Sequence, residues 1–531
     1  MAEAPDVSDL QQKVVVIGAG MGGLAAALRL SHAGCAVTVL ERHSHPGGKM
    51  RTVPSPAGPV DAGPTVLTMR HVFDALFKEC GGTLDDHVTL EAETLLARHW
   101  WRDGTTLDLF ADPEATATAI RAFAGPRGEQ DFRRFNARTK RLYEAFKGPM
   151  MEAAEPSQAA LTAHVLRNPS LIPDMSPHAT LMSSLSRQFR DKRLSQLFGR
   201  YATYVGGSPL QSPALLALIW QSEAAGVWRV AGGMHKLATA IADFARSKGA
   251  TFAYNTHVAR IEVQGSRATS VITEDGTRYP ADHIIFNGDP AALGHGYLGQ
   301  KAAASVTRDA TRPRSLSAYV HSFASIARGP ELAYHNVFFG ANPRDEFDPI
   351  AAGKMPRDPT LYICAEDRGG GTIPDGPERF EIIMNAPPHA AGAPEDPMEK
   401  EQCQTLVFQT LRRFGLTFGP TPGPGTLTMP SDFQALFPGS DGSLYGRSPH
   451  GLMAAFQRPT ARSRLPGLYL AGGGAHPGAG IPMATLSGRH AAEAILTDLA
   501  STSRSLRMDT RGGMSTASRT AEPMQSPSSG S

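Results

Sequence analysis

Near its N-terminus the chain reads Val14-Val15-Val16-Ile17-Gly18-Ala19-Gly20-Met21-Gly22-Gly23, an apolar run that leads into a G-x-G-x-x-G turn. The apolar run predicts a buried strand, and the alanines and leucines of residues 21–33 predict a helix after the turn. Gly18 permits the tight bend, Gly20 lets the backbone approach a pyrophosphate, and Gly23 lets the helix pack closely on the strand. The free N–H groups at the start of such a helix attract phosphates, so the turn predicts a dinucleotide site.

A second apolar strand, Ala36–Leu40, completes a strand–turn–helix–strand unit of about 30 residues. Glu41 closes this strand, 18 residues after Gly23. A carboxylate at this position accepts hydrogen bonds from ribose hydroxyls and repels a 2′-phosphate. The unit therefore predicts an α/β fold with a Rossmann-like domain, and Glu41 as one of its cofactor contacts.

The composition of the chain narrows the class of protein. Of 531 residues, 41% are hydrophobic, which supports large cores and excludes disorder of the whole chain. The 52 basic and 50 acidic side chains give a net charge of +2, too even for a nucleic-acid binder that works by charge alone. The four cysteines are far apart and form no C-x-x-C pair, so we expect neither a disulfide framework nor a metal site.

The sequence lacks the patterns that take a chain into or through a membrane. Residues 1–12 have no basic start and no apolar run of the kind found in signal peptides. The longest uncharged segment, residues 465–488, contains seven glycines and three prolines, which a spanning helix would not tolerate. We therefore expect a protein that is soluble or lies on a membrane surface.

Two further blocks place glycine turns beside polar residues. Pro46-Gly47-Gly48-Lys49 and Asp61-Ala62-Gly63-Pro64-Thr65 stand where a nicotinamide enzyme would usually continue into its next βα unit. In this interpretation Lys49 and Arg51 face a pyrophosphate or the pyrimidine edge of a flavin. Ordinary turns with solvated cations are the alternative interpretation.

A glycine-rich block near the C-terminus, residues 467–483, follows another predicted strand. Its bare backbone N–H groups, and the N-terminus of a helix predicted from about Pro482 to Leu499, favour a flat or anionic ligand. A reduced flavin carries negative charge around N1 and the C2 oxygen and suits such a loop. His476 lies in this loop between glycines and before Pro477, so we interpret it as structural rather than as a general acid or base.

Together these blocks resemble the carotenoid desaturases of the phytoene-desaturase type, from about residue 12 to residue 500. Residues 467–487 are similar to the C-terminal signature of that family. Residues 59–77 and 96–110 are most similar to the 1-hydroxycarotenoid 3,4-desaturases (hydroxyneurosporene or methoxyneurosporene desaturases) of phototrophic bacteria. The resemblance implies a Rossmann-like FAD-binding domain of the amine-oxidase/phytoene-desaturase type, with an interleaved mixed α+β substrate domain.

The resemblance also implies which positions contact FAD. The nucleotide end matches the first glycine turn and Glu41, the 46–65 blocks match segments that wrap the cofactor, and the ring end matches the C-terminal block. We therefore expect FAD contacts from Gly18, Gly20, Gly22, Gly23, Glu41, Gly48, Lys49, Thr65, Val258, Gly473, Ile481 and Met483. Related enzymes commonly carry Thr or Ser at the third glycine of the C-terminal trio, so no side-chain hydrogen bond to the flavin is expected from Gly474.

We expect the two domains to be interleaved along the chain. The predicted division is an N-terminal tail (1–11), an FAD-binding domain (12–90, 222–300 and 440–500), a helical, membrane-facing substrate domain (91–221 and 301–439) and a disordered tail (501–531).

The implied reaction is desaturation of a 1-hydroxylated acyclic carotenoid at its C3–C4 bond, by hydride transfer to flavin N5 and loss of a proton. The implied partners are a C40 polyene, a membrane surface and an electron acceptor, oxygen or a quinone, but no nucleic acid. The expected location is the cytoplasmic side of the inner or photosynthetic membrane. The sequence identifies no catalytic residue. Residues considered for an apolar substrate tunnel, with ordinary core as the alternative, are Phe198, Tyr201, Tyr204, Leu215, Leu216, Ile219, Trp220, Phe338 and Phe339.

Other functions stay open at this point. They are desaturation of phytoene or neurosporene at another bond, oxidation of an amine by a flavin, and cis–trans isomerisation of a carotenoid with reduced flavin. A non-enzymatic alternative is a prenyl carrier like the GDP-dissociation inhibitors, against which the intact C-terminal glycine block argues.

Overall fold

The computed structural model describes residues 11–509, apart from residues 372, 391, 395 and 452. In chain order the strands of this part are β1 (Lys13–Ile17), β2 (Ala36–Leu40), β3 (Thr52–Val53), β4 (Val60–Asp61), β5 (Leu90–Ala92), β6 (Leu95–Trp100), β7 (Thr106–Phe110), β8 (Trp228–Val230), β9 (Thr251–Ala253), β10 (Val258–Gln264), β11 (Arg267–Thr273), β12 (Arg278–Pro280), β13 (His283–Phe286), β14 (Ser317–Arg328), β15 (His335–Phe338), β16 (Leu361–Ala365), β17 (Glu378–Ala386), β18 (Thr417–Gly419), β19 (Leu427–Thr428) and β20 (Leu468–Leu470). Its α-helices are α1 (Met21–His32), α2 (Arg70–Glu79), α3 (Pro113–Phe146), α4 (Gln158–Arg167), α5 (Leu171–Met175), α6 (Leu181–Gln188), α7 (Lys192–Gly199), α8 (Trp220–Ala224), α9 (His235–Ser247), α10 (Pro290–Gly294), α11 (Gln300–Ala303), α12 (Pro343–Ala351), α13 (Glu399–Arg413), α14 (Pro430–Leu436) and α15 (Ile481–Asp509).

A five-stranded parallel sheet, in the order β20-β13-β1-β2-β9, forms the first layer of the fold. Its strands are buried on both faces, which explains their continuous apolar sequences. Val14 and Val16 pack against a core shared with α1, α9 and α15. Val15 and Ile17 face the opposite core, which contains residues of β10 and β11. The predicted strand–helix–strand unit at β1, α1 and β2 is confirmed.

A larger sheet, in the order β18-β14-β17-β16-β15-β6-β7, forms the second body, and β19 pairs with β14 beside it. Side chains alternate between its two faces, as the strand geometry requires. Tyr319 and Phe323 of β14 pack into a core with α13, whereas Ala318 and Val320 of the same strand face the other way. That second face is the one that faces the ends of β1 and β2.

A helical layer covers the β6–β7 end of this sheet. Helix α3 begins after Asp112, whose side chain accepts hydrogen bonds from the Glu114 and Ala115 backbone N–H groups. Helices α3, α6 and α7 then bury an aromatic core against β6 and β7. Phe198, Tyr201, Trp220 and Phe339 belong to this core and Phe338 to the core of the larger sheet, each at most 1% exposed. These tunnel candidates are therefore packed against other side chains.

The strands of the parallel sheet come from the segments predicted for the FAD-binding domain, and those of the larger sheet come from the segments predicted for the substrate domain. The division of the chain into an FAD-binding domain and a substrate domain stays a prediction. Strands β9 and β10 follow each other in the chain but belong to two different sheets, and a turn at Asn255, whose φ is +52°, separates them.

The structure differs from the sequence interpretation at the predicted C-terminal tail. Helix α15 continues to Asp509, whereas the sequence interpretation ended it near Leu499 and began a disordered tail at residue 501. The physical reason is that residues 500–511 contain no glycine or proline to stop a helix. The rest of that predicted tail, residues 510–531, and residues 1–10 of the N-terminal tail lie outside the described residues.

No helix in the described ranges is both long enough and apolar enough to cross a bilayer.

Candidate functional site

The glycine turn after β1 is closed tightly onto the strand and helix that flank it. Gly18 has a φ of +97°, and a Cβ added at Gly23 would lie 2.2 Å from the Gly18 carbonyl oxygen. Gly23 therefore serves close packing of α1 on β1, and it does not line the cavity described below. Helix α1 begins at Met21 with no side-chain cap and no acidic residue in its first turn. Its first N–H groups are therefore free for an anion.

The carboxylate of Glu41 lies directly against this turn. It is 4% exposed, and it accepts hydrogen bonds from the backbone N–H groups of Ala19 (2.7 Å) and His43 (2.9 Å). The second glycine block packs on the same turn, because a Cβ at Gly48 would lie 3.1 Å from Gly20 Cα. Parallel strands bring the residues that follow them to one edge of the sheet, which explains why these groups meet.

A cavity of about 400 Å³ opens at this edge. Nine of the twelve predicted contacts line it: Gly18, Gly20, Gly22, Glu41, Gly48, Lys49, Val258, Gly473 and Ile481. The N-terminal and C-terminal glycine blocks are therefore walls of one cavity.

The three remaining predicted residues are not part of its wall. Gly23 is the packing residue already described. Thr65 is buried, and its hydroxyl is hydrogen-bonded to the Tyr362 hydroxyl at 2.7 Å, on the larger sheet. Met483 packs partly buried against the core of α1 and α9.

Lys49 lies at the cavity wall and is tied to the chain opposite. Its Nζ donates a hydrogen bond to the Leu444 carbonyl at 2.5 Å. Burial lowers the pKa of Lys49 to about 8; Asp289 opposes this effect, and the Arg314 and Arg458 cations add to it. Arg51 was expected to face the cofactor, but it does not line the cavity. Its guanidinium instead donates a hydrogen bond to the Thr428 hydroxyl at 2.8 Å.

Two residues that the sequence interpretation missed hold the glycine loops in place. Asn287, directly after β13, donates from Nδ2 to the Gly18 carbonyl at 3.1 Å and lines the cavity. Arg458 donates to the Gly473 carbonyl at 3.0 Å and to the Tyr445 carbonyl at 2.9 Å. The sequence signal for Asn287 was its place at the carboxyl end of a buried strand, the position where parallel sheets bind ligands.

His476 is turned away from the cavity. It is 2% exposed, and its Nε2–H donates to the Ala153 carbonyl at 2.8 Å. Its ring stacks on His490, with centroids 5.9 Å apart. Burial lowers the pKa of His476 to about 4. These contacts agree with a structural role.

Comparison with known proteins places the chain in a family. Residues 21–496 match the family described as flavin containing amine oxidoreductase. The chain is 60% identical over 492 residues to the hydroxyneurosporene desaturase of Cereibacter sphaeroides, covering 93% of this chain and 99% of that protein. It is 52% identical to the hydroxyneurosporene desaturase of Rhodobacter capsulatus, over 91% of this chain and 98% of that protein.

Solved structures share the fold at low identity. A putrescine oxidase variant superposes with a TM-score of 0.58 at 14% identity, covering 92% of this chain and 99% of that one. The cyclohexylamine oxidase of Brevibacterium oxydans superposes with a TM-score of 0.52 at 18% identity, covering 92% and 100%. The predicted fold class is thereby confirmed.

The residues at the cavity fit the cofactor of this family. Bare glycine backbone and a free helix N-terminus accept a pyrophosphate, Glu41 is a carboxylate at the nucleotide turn, and Lys49 supplies a cation. The predicted cofactor FAD and the predicted oxidoreductase activity are confirmed by the family match. The chain belongs to the flavin containing amine oxidoreductase family, in the group that holds the hydroxyneurosporene desaturases.

Proposed function

We propose that the protein is an FAD-dependent desaturase that introduces a double bond at C3–C4 of a 1-hydroxylated acyclic carotenoid. The observation that carries the proposal is the 60% identity to a hydroxyneurosporene desaturase, which extends over 93% of the chain. When bound, FAD supplies the hydride acceptor that this oxidation needs.

In this proposal the chain's own residues hold the two ends of the cofactor. Gly18, Gly20, Gly22 and the α1 N-terminus bind the pyrophosphate, and Glu41 accepts from the ribose. Other residues of the cavity wall bind the remaining parts of the cofactor: Gly48, Lys49, Val258, Gly473 and Ile481. Gly23 shapes the turn, whereas Thr65 and Met483 lie outside the cavity wall.

The wall opposite the glycine turns favours an apolar substrate. Ala318 and Val320 of β14 and Ile383 of β17 line the cavity, together with Phe433 and Phe437. Apolar walls around a reacting carbon chain exclude water and hold the bond in position without requiring charge.

We further propose that the protein works at the surface of the inner or photosynthetic membrane, because a C40 polyene partitions into lipid. The electron acceptor that we propose for the overall reaction is oxygen or a quinone. Flotation of the protein with liposomes tests the first point, and anaerobic turnover with and without a quinone tests the second.

The substrate is tested by incubating the FAD-loaded protein with carotenoids in liposomes. We expect 1-hydroxyneurosporene to lose two hydrogens, with a mass lower by about 2 Da and a red-shifted absorption spectrum, as one more double bond extends the polyene. Phytoene in the parallel reaction should be unchanged. Conversion of phytoene alone would refute the proposed substrate, and a spectral change without a mass change would indicate an isomerase.

A further inference from the structure

Glu381 stands out on the apolar wall of the cavity. It lies on β17, is 0% exposed, and lines the cavity together with Ala318, Val320 and Ile383. The register pairs Val320 with Ile383 and Ser322 with Glu381, so these side chains share one face of the sheet. A buried carboxylate costs stability unless it is paired or hydrogen-bonded.

Neither oxygen of this carboxylate has a hydrogen-bond donor among the described residues. The Gly63 N–H approaches it without reaching hydrogen-bonding geometry. The cavity wall contains two other carboxylates in the described part of the chain, and both have partners within the protein. Glu41 accepts two backbone N–H groups, and Asp289 pairs with Arg314 at 2.5 Å.

The position of Glu381 brings it close to the loop that follows β4. Ala62, Gly63 and Pro64 of that loop line the same cavity. Directly after the neighbouring strand β16, Glu366 accepts the Asp61 N–H at 2.8 Å, which fixes the start of this loop. Glu381 is therefore held beside a segment that the family resemblance assigns to the wrapping of FAD.

Charged and titratable groups surround Glu381 on several elements. The groups that interact electrostatically with the Glu381 carboxyl are Arg51, Asp61, Tyr362, Cys364, Glu366 and Tyr445. Burial raises the pKa of Glu381 well above its ordinary value; the Glu366 and Asp61 carboxylates raise it further, and Arg51 opposes them. A carboxyl with a raised pKa is a stronger base once it has lost its proton.

We propose that Glu381 is the proton acceptor of the desaturation, an inference that rests on the function proposed above. One of the two carbons loses hydrogen with its electron pair, as a hydride, to the bound cofactor. The adjacent carbon loses a proton to the Glu381 carboxylate, and the electrons of that C–H bond become the new π bond. Two C–H bonds break, one π bond forms, and the carboxylate becomes a carboxylic acid.

The proposal is tested with three variants of the FAD-loaded enzyme. Glu381→Gln keeps the shape and a hydrogen-bond acceptor but cannot take up a proton. Glu381→Asp restores a base about one methylene shorter. Glu366→Gln is the matched control, because Glu366 is a buried carboxylate of the same face that does not line the cavity. Each variant is assayed for flavin content, substrate binding, and kcat between pH 5.5 and 9.5, a range chosen around the ordinary assay pH.

We expect Glu381→Gln to retain FAD and to bind substrate, with kcat lower by about 10²–10⁴-fold. For the unaltered enzyme kcat should rise with pH to a plateau, since the base must be deprotonated. That rise should be absent in Glu381→Gln, return with partial activity in Glu381→Asp, and move to lower pH in Glu366→Gln because a neighbouring negative charge is lost.

Three results would overturn the assignment. Activity of Glu381→Gln close to that of the parent would exclude a proton acceptor at this position. Loss of FAD from Glu381→Gln would make the residue a cofactor ligand instead. An unchanged pH rise in Glu381→Gln would assign the titration to another group. Should the unaltered enzyme convert no carotenoid, the proposed function itself fails, before any variant is compared.

Discussion

The backbones of Gly22 and Gly472 are so close that a Cβ added at Gly22 would lie 2.5 Å from the Gly472 nitrogen. The same added Cβ would lie 2.7 Å from Oδ1 of Asn287, so it would meet the residue that follows β13 as well. The N-terminal and C-terminal glycine blocks are thus in contact, and glycine at position 22 is a condition of that contact.

Gly22→Ala should therefore separate the two loops and weaken cofactor binding. We expect overpacking to cost about 1–3 kcal/mol of stability and the purified protein to lose part of its FAD. Flavin absorbance per protein and the thermal midpoint measure both effects. Gly148→Ala is the control, because an added Cβ there meets nothing within 4 Å. Equal flavin content in the two variants would contradict the role given to this contact.

Glu41→Gln should weaken FAD binding while preserving the fold. The amide oxygen can still accept one of the two backbone N–H groups that the carboxylate accepts now. A charged acceptor for the ribose is lost, which is worth about 1.4 kcal/mol, or tenfold in Kd. Titration of the apoprotein with FAD measures it, with exposed Glu79→Gln as the control. An unchanged Kd would remove Glu41 from the cofactor site.

The sequence was most informative for motifs whose residues lie close together in the chain. The β1–α1–β2 unit, the Glu41 carboxylate beside the glycine turn, and the glycine loop after β20 follow from spacing, because a tight turn or close approach demands glycine at fixed positions. These residues also lie together at the cavity, as a dinucleotide site requires.

Residues whose neighbours depend on sheet order could not be found in this way. Glu381 reaches the cavity only because β17 pairs with β14 and β16, and Asn287 reaches Gly18 only because β13 pairs with β1. The aromatic tunnel candidates illustrate the opposite problem. An apolar side chain has the same sequence pattern whether it lines a tunnel or packs in a core, and Phe198 packs against five aromatic rings.

Phe198→Ala should therefore act on stability. The ring is 0% exposed and stacks with Phe189 at a centroid distance of 5.2 Å. Removing such a side chain costs about 3–5 kcal/mol through lost burial and the cavity left behind. Urea unfolding measures this cost, and Leu166→Ala, at a side chain that is 70% exposed, should change stability little. A stable Phe198→Ala enzyme with an altered substrate range would instead support a tunnel wall.

FAD affinity should depend on pH through Lys49. The pKa of Lys49 is about 8 because burial disfavours the ammonium form. A bound anionic cofactor favours the ammonium form and should therefore raise this pKa. Binding should be tightest below pH 8 and weaken as the pH rises above it, because the free protein then loses the proton that the complex retains. The measurement is the Kd for FAD between pH 6.5 and 9.5, a window that brackets this pKa. Lys49→Met should bind more weakly and without this trend; the same trend in the variant would exclude Lys49.

Acid should destabilise the fold through buried neutral histidines, of which His99 is the clearest case. Burial lowers the pKa of His99 to about 3, with a further contribution from Arg200, while its Nδ1–H donates to the Leu107 carbonyl at 3.2 Å. In the unfolded chain a histidine titrates near pH 6.5. Between pH 6.5 and 3 the unfolded state therefore binds a proton that the folded state does not bind. The stability present above pH 6.5 is lost as the pH falls from there toward 3. For one group the loss approaches about 1.4 kcal/mol per pH unit.

Urea unfolding of the protein and of His99→Leu at pH 7 and pH 5 measures this loss. The variant should be less stable at pH 7 but lose less stability between the two pH values. Equal losses in both proteins would show that His99 carries its proton in the folded state.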